Sequence, residues 1–245
     1  MLTTAERERA GWARIHGPLQ ANRHAEVRLG GTTLDDDTRR VLGRSLATFQ
    51  LGESGTGEHL FAAADAAGVS ADHLTDLRAF IAEEQEHARL LELVLDALGH
   101  PLRTSHWTDA AFVVVRRSRS LRAEVLTLLV AEVIAIRYYG ALRDGVADPE
   151  IAAVCGRIHD DELRHVAFHG ETLPAYLRTM RRPVRALARG LWNTLVAGTS
   201  VVVAVDHGAA LRRAGCRRRD FVRDVHRLRR DLDRVLFCGS RVPTT

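Results

Sequence analysis

Apolar positions recur every three or four residues along nearly the whole chain. The alternation of a half-buried strand is hard to find, apart from the brief Phe112-Val113-Val114-Val115 run. The period predicts an all-α protein. A short helix is expected over residues 4–16, with Thr3 and Glu6 spaced as a capping box, and a turn-rich link through Gly30-Gly31 follows. A first long helix is expected over 35–66, stopped at Gly68, and Ser70 caps a second that ends at Gly99-His100-Pro101. After a longer connection, a third is expected over 120–143. Asp148-Pro149-Glu150 opens a fourth with a cap, a first-turn proline and an early acid, and Pro174 is expected to kink or end it. Pro183 starts a fifth helix that reaches Arg213, and a basic amphipathic helix covers 217–237. Four long helices joined by two short loops and one longer connection wire as a four-helix bundle.

Helix two carries Glu83-Glu84-Gln85-Glu86-His87, and helix four carries Asp161-Glu162-Leu163-Arg164-His165. In both, a histidine follows a glutamate by three residues, which sets the two side chains beside each other on one helical face. That face is apolar in each case: Leu77, Phe80, Ile81, Ala88 and Leu91 accompany Glu84, while Ile151, Ile158, Val166 and Leu173 accompany Glu162. Glu132 sits alone among Leu128, Leu129, Ile136 and Tyr139 on helix three, and Glu53 among Leu42, Leu46, Phe49, Gly57 and Leu60 on helix one. Glu58 is the rival to Glu53, on a more mixed stripe with Leu51, Ser54, Phe61 and Asp65. Four ionised carboxylates in one core are untenable without compensation. Two divalent cations supply it, since four carboxylates and two neutral imidazoles around two M²⁺ sum to zero. Oxygen donors with one imidazole per metal suit a pair of iron ions, or manganese at one or both positions, better than zinc or copper. The expected metal ligands, and the catalytic set, are Glu53, Glu84, His87, Glu132, Glu162 and His165.

Composition changes this picture little. A hydrophobic fraction of 46% with 27% charged residues excludes a disordered or low-complexity chain. The 245 residues suit a single domain, with a metal-binding core over 34–182 and a helical extension over 183–245 packed on that core or on the second subunit of a homodimer. Basic and acidic side chains number 35 and 31, and the last helix interleaves arginine with Asp220, Asp224, Asp231 and Asp233. That reads as a solvated face, and no nucleic-acid partner is expected. Cys155, Cys216 and Cys238 include no Cys-x-x-Cys pair, so neither a disulfide framework nor a thiolate zinc site is expected. Met1 is followed by a polar, charged stretch without the apolar core of a secretory leader. The longest uncharged run, residues 190–205, is shorter than the roughly 20 residues of a membrane span. A soluble, cytoplasmic chain with no membrane span is the expectation.

On these residues the chain resembles the ferritin-like di-iron carboxylate superfamily, over residues 53–165. The resemblance implies a ferritin-like four-helix bundle with a short N-terminal helix and a C-terminal helical extension. Asp161-Glu162-Leu163-Arg164-His165 resembles the Asp-Glu-x-Arg-His box of the oxygen-activating branch, which includes acyl-carrier-protein desaturases, bacterial multicomponent monooxygenases and the small subunit of ribonucleotide reductase. Gly52-Glu53-Ser54-Gly55 and Val130-Ala131-Glu132-Val133-Ile134 resemble the first and third helices of demethoxyubiquinone hydroxylases, which lack a C-terminal extension of this length. The box implies that Asp161 orients His87, and the matching position gives Glu83 the same part toward His165. The implied activity is that of a non-haem di-iron oxidase or oxygenase. It uses O₂ to hydroxylate, desaturate or N-oxygenate a mostly apolar small organic substrate, with a ferredoxin-type electron donor docked on the basic surface.

The alternative is a ferritin- or rubrerythrin-like protein that oxidises iron or removes peroxide without an organic substrate. The C-terminal extension and the lack of a Cys-x-x-Cys module weigh against it. His159 and His169, one turn either side of the Glu162–His165 pair, are candidates for extra ligands or for groups behind the ligands; a third histidine ligand occurs in the arylamine N-oxygenases of the superfamily. Tyr138 and Tyr139 line the pocket, act as redox residues or simply pack. Gly52, Gly55 and Gly57 mark a cavity or distortion beside the metals, or close helix packing.

Overall fold

The computed structural model describes residue 27, residues 29–104 and residues 120–238. The helix expected over 4–16 and the run at 112–115 lie outside the described residues. Among the described residues the chain is all-α: α1 (Asp36–Glu53), α2 (Glu58–Ala66), α3 (Ala71–Ala97), α4 (Leu121–Gly145), α5 (Pro149–Arg178), α6 (Arg182–Asp206), α7 (Gly208–Arg213) and α8 (Arg218–Cys238). Most boundaries have a local cause. The side chains of Asp35, Ser70, Ser120 and Asp148 accept backbone N–H bonds at the starts of α1, α3, α4 and α5. Gly68 and Gly99, both at positive φ, follow the ends of α2 and α3.

Helices α1, α3, α4 and α5 form the bundle. Its most extensive pairing is α4 with α5, while α3 contacts both α1 and α5. Leu42, Leu46, Leu77, Phe80, Leu91, Leu129, Tyr138, Tyr139 and Ile158 are fully buried between them. The extension packs on this body: α8 lies against α6 and also touches α4 and α5. Trp192, Val196, Phe221 and Val225 fill the seam. Arg189 clamps Asp233 at 2.6 Å, and Arg137 bonds Asp224 at 3.1 Å.

Two expectations about the helices are corrected, and a third is narrowed. The first long helix is two, because the chain turns between Glu53 and Glu58 through Gly57 at φ 72°. A side chain at residue 57 would place its Cβ 2.7 Å from Ile81 Cγ1, so glycine meets both the backbone and the space requirement there. At Pro174, where a kink or an end is expected, helix four does not end but continues to Arg178. Buried Leu173 and Leu177 hold the last turns onto the core despite the intrahelical bond that proline removes. The fifth helix is broken at His207 into α6 and α7.

Two helices, Leu121–Gly145 and Arg182–Asp206, are long and apolar enough to cross a membrane by length and composition. The first is the centre of the bundle. The second is buried over only 28% of its apolar window, with Val184, Leu187, Leu191, Leu195, Val201 and Val205 exposed.

The break after Glu53 yields a stability prediction. Gly57→Ala combines a strained left-handed φ with the clash on Ile81, and should cost about 1–3 kcal/mol. Gly55→Ala meets open space and should change stability by less than about 0.5 kcal/mol. Urea unfolding of the metal-free chain measures both.

Candidate metal centre

Each of the four bundle helices sends an acid to one point in the interior. Glu53 is the last residue of α1, turned inward where the helix ends. Glu84 and His87 project from α3, Glu132 from the middle of α4, and Glu162 and His165 from α5. Their atoms form two clusters, each within 4.8 Å: Glu53, Glu84, His87 and Glu162 in one, and Glu84, Glu132, Glu162 and His165 in the other. Glu84 and Glu162 belong to both. Neither His159 nor His169 is in either cluster. His159 lies against Gly140 and faces Arg143 and Asp160, and His169 packs beside Phe80 with its ring 5.1 Å away. Glu58, at the first turn of α2, is exposed.

Both imidazoles present Nδ1 to the centre. His87 Nδ1 is 3.6 Å from Glu162 and 3.7 Å from Glu84. His165 Nδ1 is 3.2 Å from Glu84 and 3.3 Å from Glu132. Their outer nitrogens face carboxylates: His87 Nε2 is 3.1 Å from Asp161, and His165 Nε2 is 2.9 Å from Glu83. A proton held at Nε2 by those acids leaves the Nδ1 lone pair aimed inward. Arg164 pairs with Asp161, and the Tyr139 hydroxyl donates to Glu53 Oε1 at 2.9 Å. Sequence reasoning missed both contacts. The three-residue spacing of Asp161 and Arg164 was a usable signal for the first; the second joins residues 86 apart and had none.

The donor atoms are starved of partners. Glu84 Oε1, His87 Nδ1, Glu132 Oε2, Glu162 Oε2 and His165 Nδ1 are all buried without a hydrogen bond. Buried polar atoms almost always have a partner, and these converge on shared points. The set fits a pair of divalent cations, in donor type as well as in number. In the metal-free chain, protons moderate the repulsion instead. Burial, then Glu84, Glu162 and Glu132, hold the Glu53 carboxyl well above the usual range. Burial and then Glu132 push Glu162 up to about 8. Burial disfavours a charged His165, but Glu132, Glu162 and Glu83 outweigh it and raise its pKa well above that of an ordinary imidazole. At His87 burial prevails over Glu162 and Glu84, and its pKa falls.

Compared with family models, curated proteins and solved structures, the chain matches no family model, no curated protein and no solved structure. What the geometry shows is a helical protein with two Glu/His clusters able to coordinate a dinuclear metal site of the di-iron carboxylate kind.

Because Glu162 keeps its proton up to about pH 8, binding of Mn(II) or Fe(II) should release protons and weaken as the pH falls below that value. The metal-free chain should show the opposite trend. A carboxyl raised from 4.5 to about 8 on folding binds more protons folded than unfolded, so stability declines as pH rises through that interval. Chelator-competition titrations and thermal melts across the same pH range check both slopes. Metal affinity that stays flat over this window would contradict the electrostatics described.

Proposed function

We propose that this protein is a dinuclear non-haem iron enzyme that uses O₂ to oxidise a small, mostly apolar organic substrate. The observation that carries the reading is the sharing of Glu84 and Glu162 by both clusters. One iron would be held by Glu53, Glu84, His87 and Glu162, and the other by Glu84, Glu132, Glu162 and His165, with manganese the other metal these donors suit. When bound, the pair supplies the electrons that reduce O₂ and the oxidising power passed to the substrate. The four carboxylates neutralise the metal charge and the imidazoles fix one position each. Asp161 and Glu83 hold those imidazoles in orientation, and the surrounding Leu77, Phe80, Leu91, Leu129 and Ile158 exclude water. A ferredoxin-type donor supplies the electrons.

The helical extension α6–α8 weighs against the iron-storage or peroxide-removing alternative, and a narrow crevice lies beside the centre. The crevice has room for about one water molecule, and its walls include Leu77, Leu121, Val125 and Leu173, with His73, Arg122 and His169 among its polar lining. Phe80 stands between it and the metal ligands, its ring 4.8 Å from His165 and 5.1 Å from His169.

Anaerobic loading with Fe(II), then exposure to O₂, tests the reading by Mössbauer spectroscopy. About two irons per chain should oxidise together, and Glu84→Ala or Glu162→Ala should weaken both positions rather than one. Asp161→Asn should lower iron affinity by about 10- to 100-fold with the fold retained. Oxygen consumption should accelerate with some member of a panel of small apolar amines, acids and hydrocarbons. A large hollow assembly carrying hundreds of irons, seen by light scattering, would overturn the reading in favour of storage.

A further inference from the structure

Helix α6 is packed on one side and bare on the other. Trp192, Val196, Ser200 and Ala204, spaced one turn apart, are buried, on a helix whose main neighbour is α8. The opposite face carries Val184, Leu187, Leu191, Val201 and Val205, each between 48% and 63% exposed among the described residues. Thr194 and Gly198, also exposed, complete the row. The steps along it alternate three and four residues throughout, which is the period of a helix seated against another helix. Leu195 and Val202 flank the row, and no charged residue lies between Arg189 and Asp206. From Val184 to Val205 the bare face runs for about 32 Å.

Monomeric chains rarely leave so large an apolar face uncovered. Covering it would bury roughly 500 Å² of this chain and, with an equal area from a partner, about 1,000 Å² in all, where specific interfaces begin. The charges at its two ends select the occupant. Arg181 and Arg182 stand exposed at the start of α6, with Arg185 one turn on, and Asp206 stands exposed at its end. Reversed, the helix is therefore complementary to itself. A two-fold axis near Thr194 sets each basic end beside the other copy's Asp206 and places the helix dipoles head to tail. A parallel pair would crowd both sets of arginines together. A bilayer surface fits less well: a helix lying in one carries cations along its polar face and aromatic residues on its apolar face. Here the arginines gather at one end, Trp192 is turned inward, and Asp206 would meet anionic headgroups.

We propose that the bare face of α6 is the interface of a homodimer, in which α6 of two copies packs antiparallel along the row from Val184 to Val205. Thr194 and Gly198 keep the middle of the seam narrow, so the two backbones approach closely there; a Cβ on Gly198 would meet nothing within this chain. The ligands of both clusters come from α1, α3, α4 and α5 of one chain, so pairing through α6 leaves each metal centre complete in its own copy.

Sedimentation equilibrium of the full chain tests the assembly. A dimer is expected, and Leu187→Arg and Leu191→Arg should each weaken it by about 100-fold or more, with circular dichroism and Mn(II) uptake unchanged because both positions are exposed. Cysteine cross-linking in a Cys238→Ser background reads the direction. Thr194→Cys, near the axis, should link to its own counterpart, and Leu187→Cys should not. Val184→Cys and Val205→Cys chains, mixed, should link to each other. Should an arginine variant fail to fold, the cross-links decide. A dimer unmoved by either arginine substitution overturns the proposal, as does self-linking at Leu187 as readily as at Thr194, which marks a parallel pair. A chain still monomeric at about 100 µM overturns it too. Flotation with vesicles of phosphatidylcholine and phosphatidylglycerol then gives the face to a bilayer, and no flotation gives it to other residues of the same chain.

Discussion

Carboxylates gathered in an apolar interior repel one another and lose their hydration, at several kcal/mol of desolvation for each ion. Glu132, Glu162, His87 and His165 have side chains at most 2% exposed, and Glu53 lies beside them. The neighbouring Arg164 is turned to Asp161. The interior therefore has two ways to be stable, by holding protons or by holding cations. The rise in the Glu53 and Glu162 pKa values describes the first, and the five partnerless atoms describe the room left for the second. The bundle must be strong enough elsewhere to tolerate this. The long apolar pairing of α4 with α5, and the α6–α8 layer outside it, supply that strength.

Much of this was legible in the sequence because helical spacing converts directly into facing. Glu84 with His87 and Glu162 with His165 are neighbours on any helix, and the leucines and isoleucines around them identify the buried side. Glu53 was separable from Glu58 on the same ground. What the sequence hid was long-range or backbone-determined. The turn at Gly57 depends on how closely Ile81 approaches from α3, so the glycines near Glu53 read equally well as packing or as distortion. Helix α5 survives Pro174 because of neighbours on other helices, a tertiary effect that local propensity does not contain. His159 and His169 looked alike in sequence, one turn from the same pair, yet one faces Arg143 and the other the core. The apolar run in α6 suggested a buried helix, whereas much of that face is exposed among the described residues.

The two clusters differ in what lies behind them, and the difference gives the centre a direction. On the Glu53 side, the carboxylate sits at a helix end, where the backbone is less constrained than in mid-helix, and its outer neighbours are Tyr139, Tyr138 and Phe49. On the His165 side, Glu132 is fixed mid-helix, and beyond His165 come Phe80 and a narrow crevice. Tyr138 and Tyr139 are adjacent in sequence but serve different partners. Successive helical residues point about 100° apart, so one hydroxyl reaches Glu53 while the other reaches Ser45, and the short contact between their rings joins two environments that otherwise stay apart.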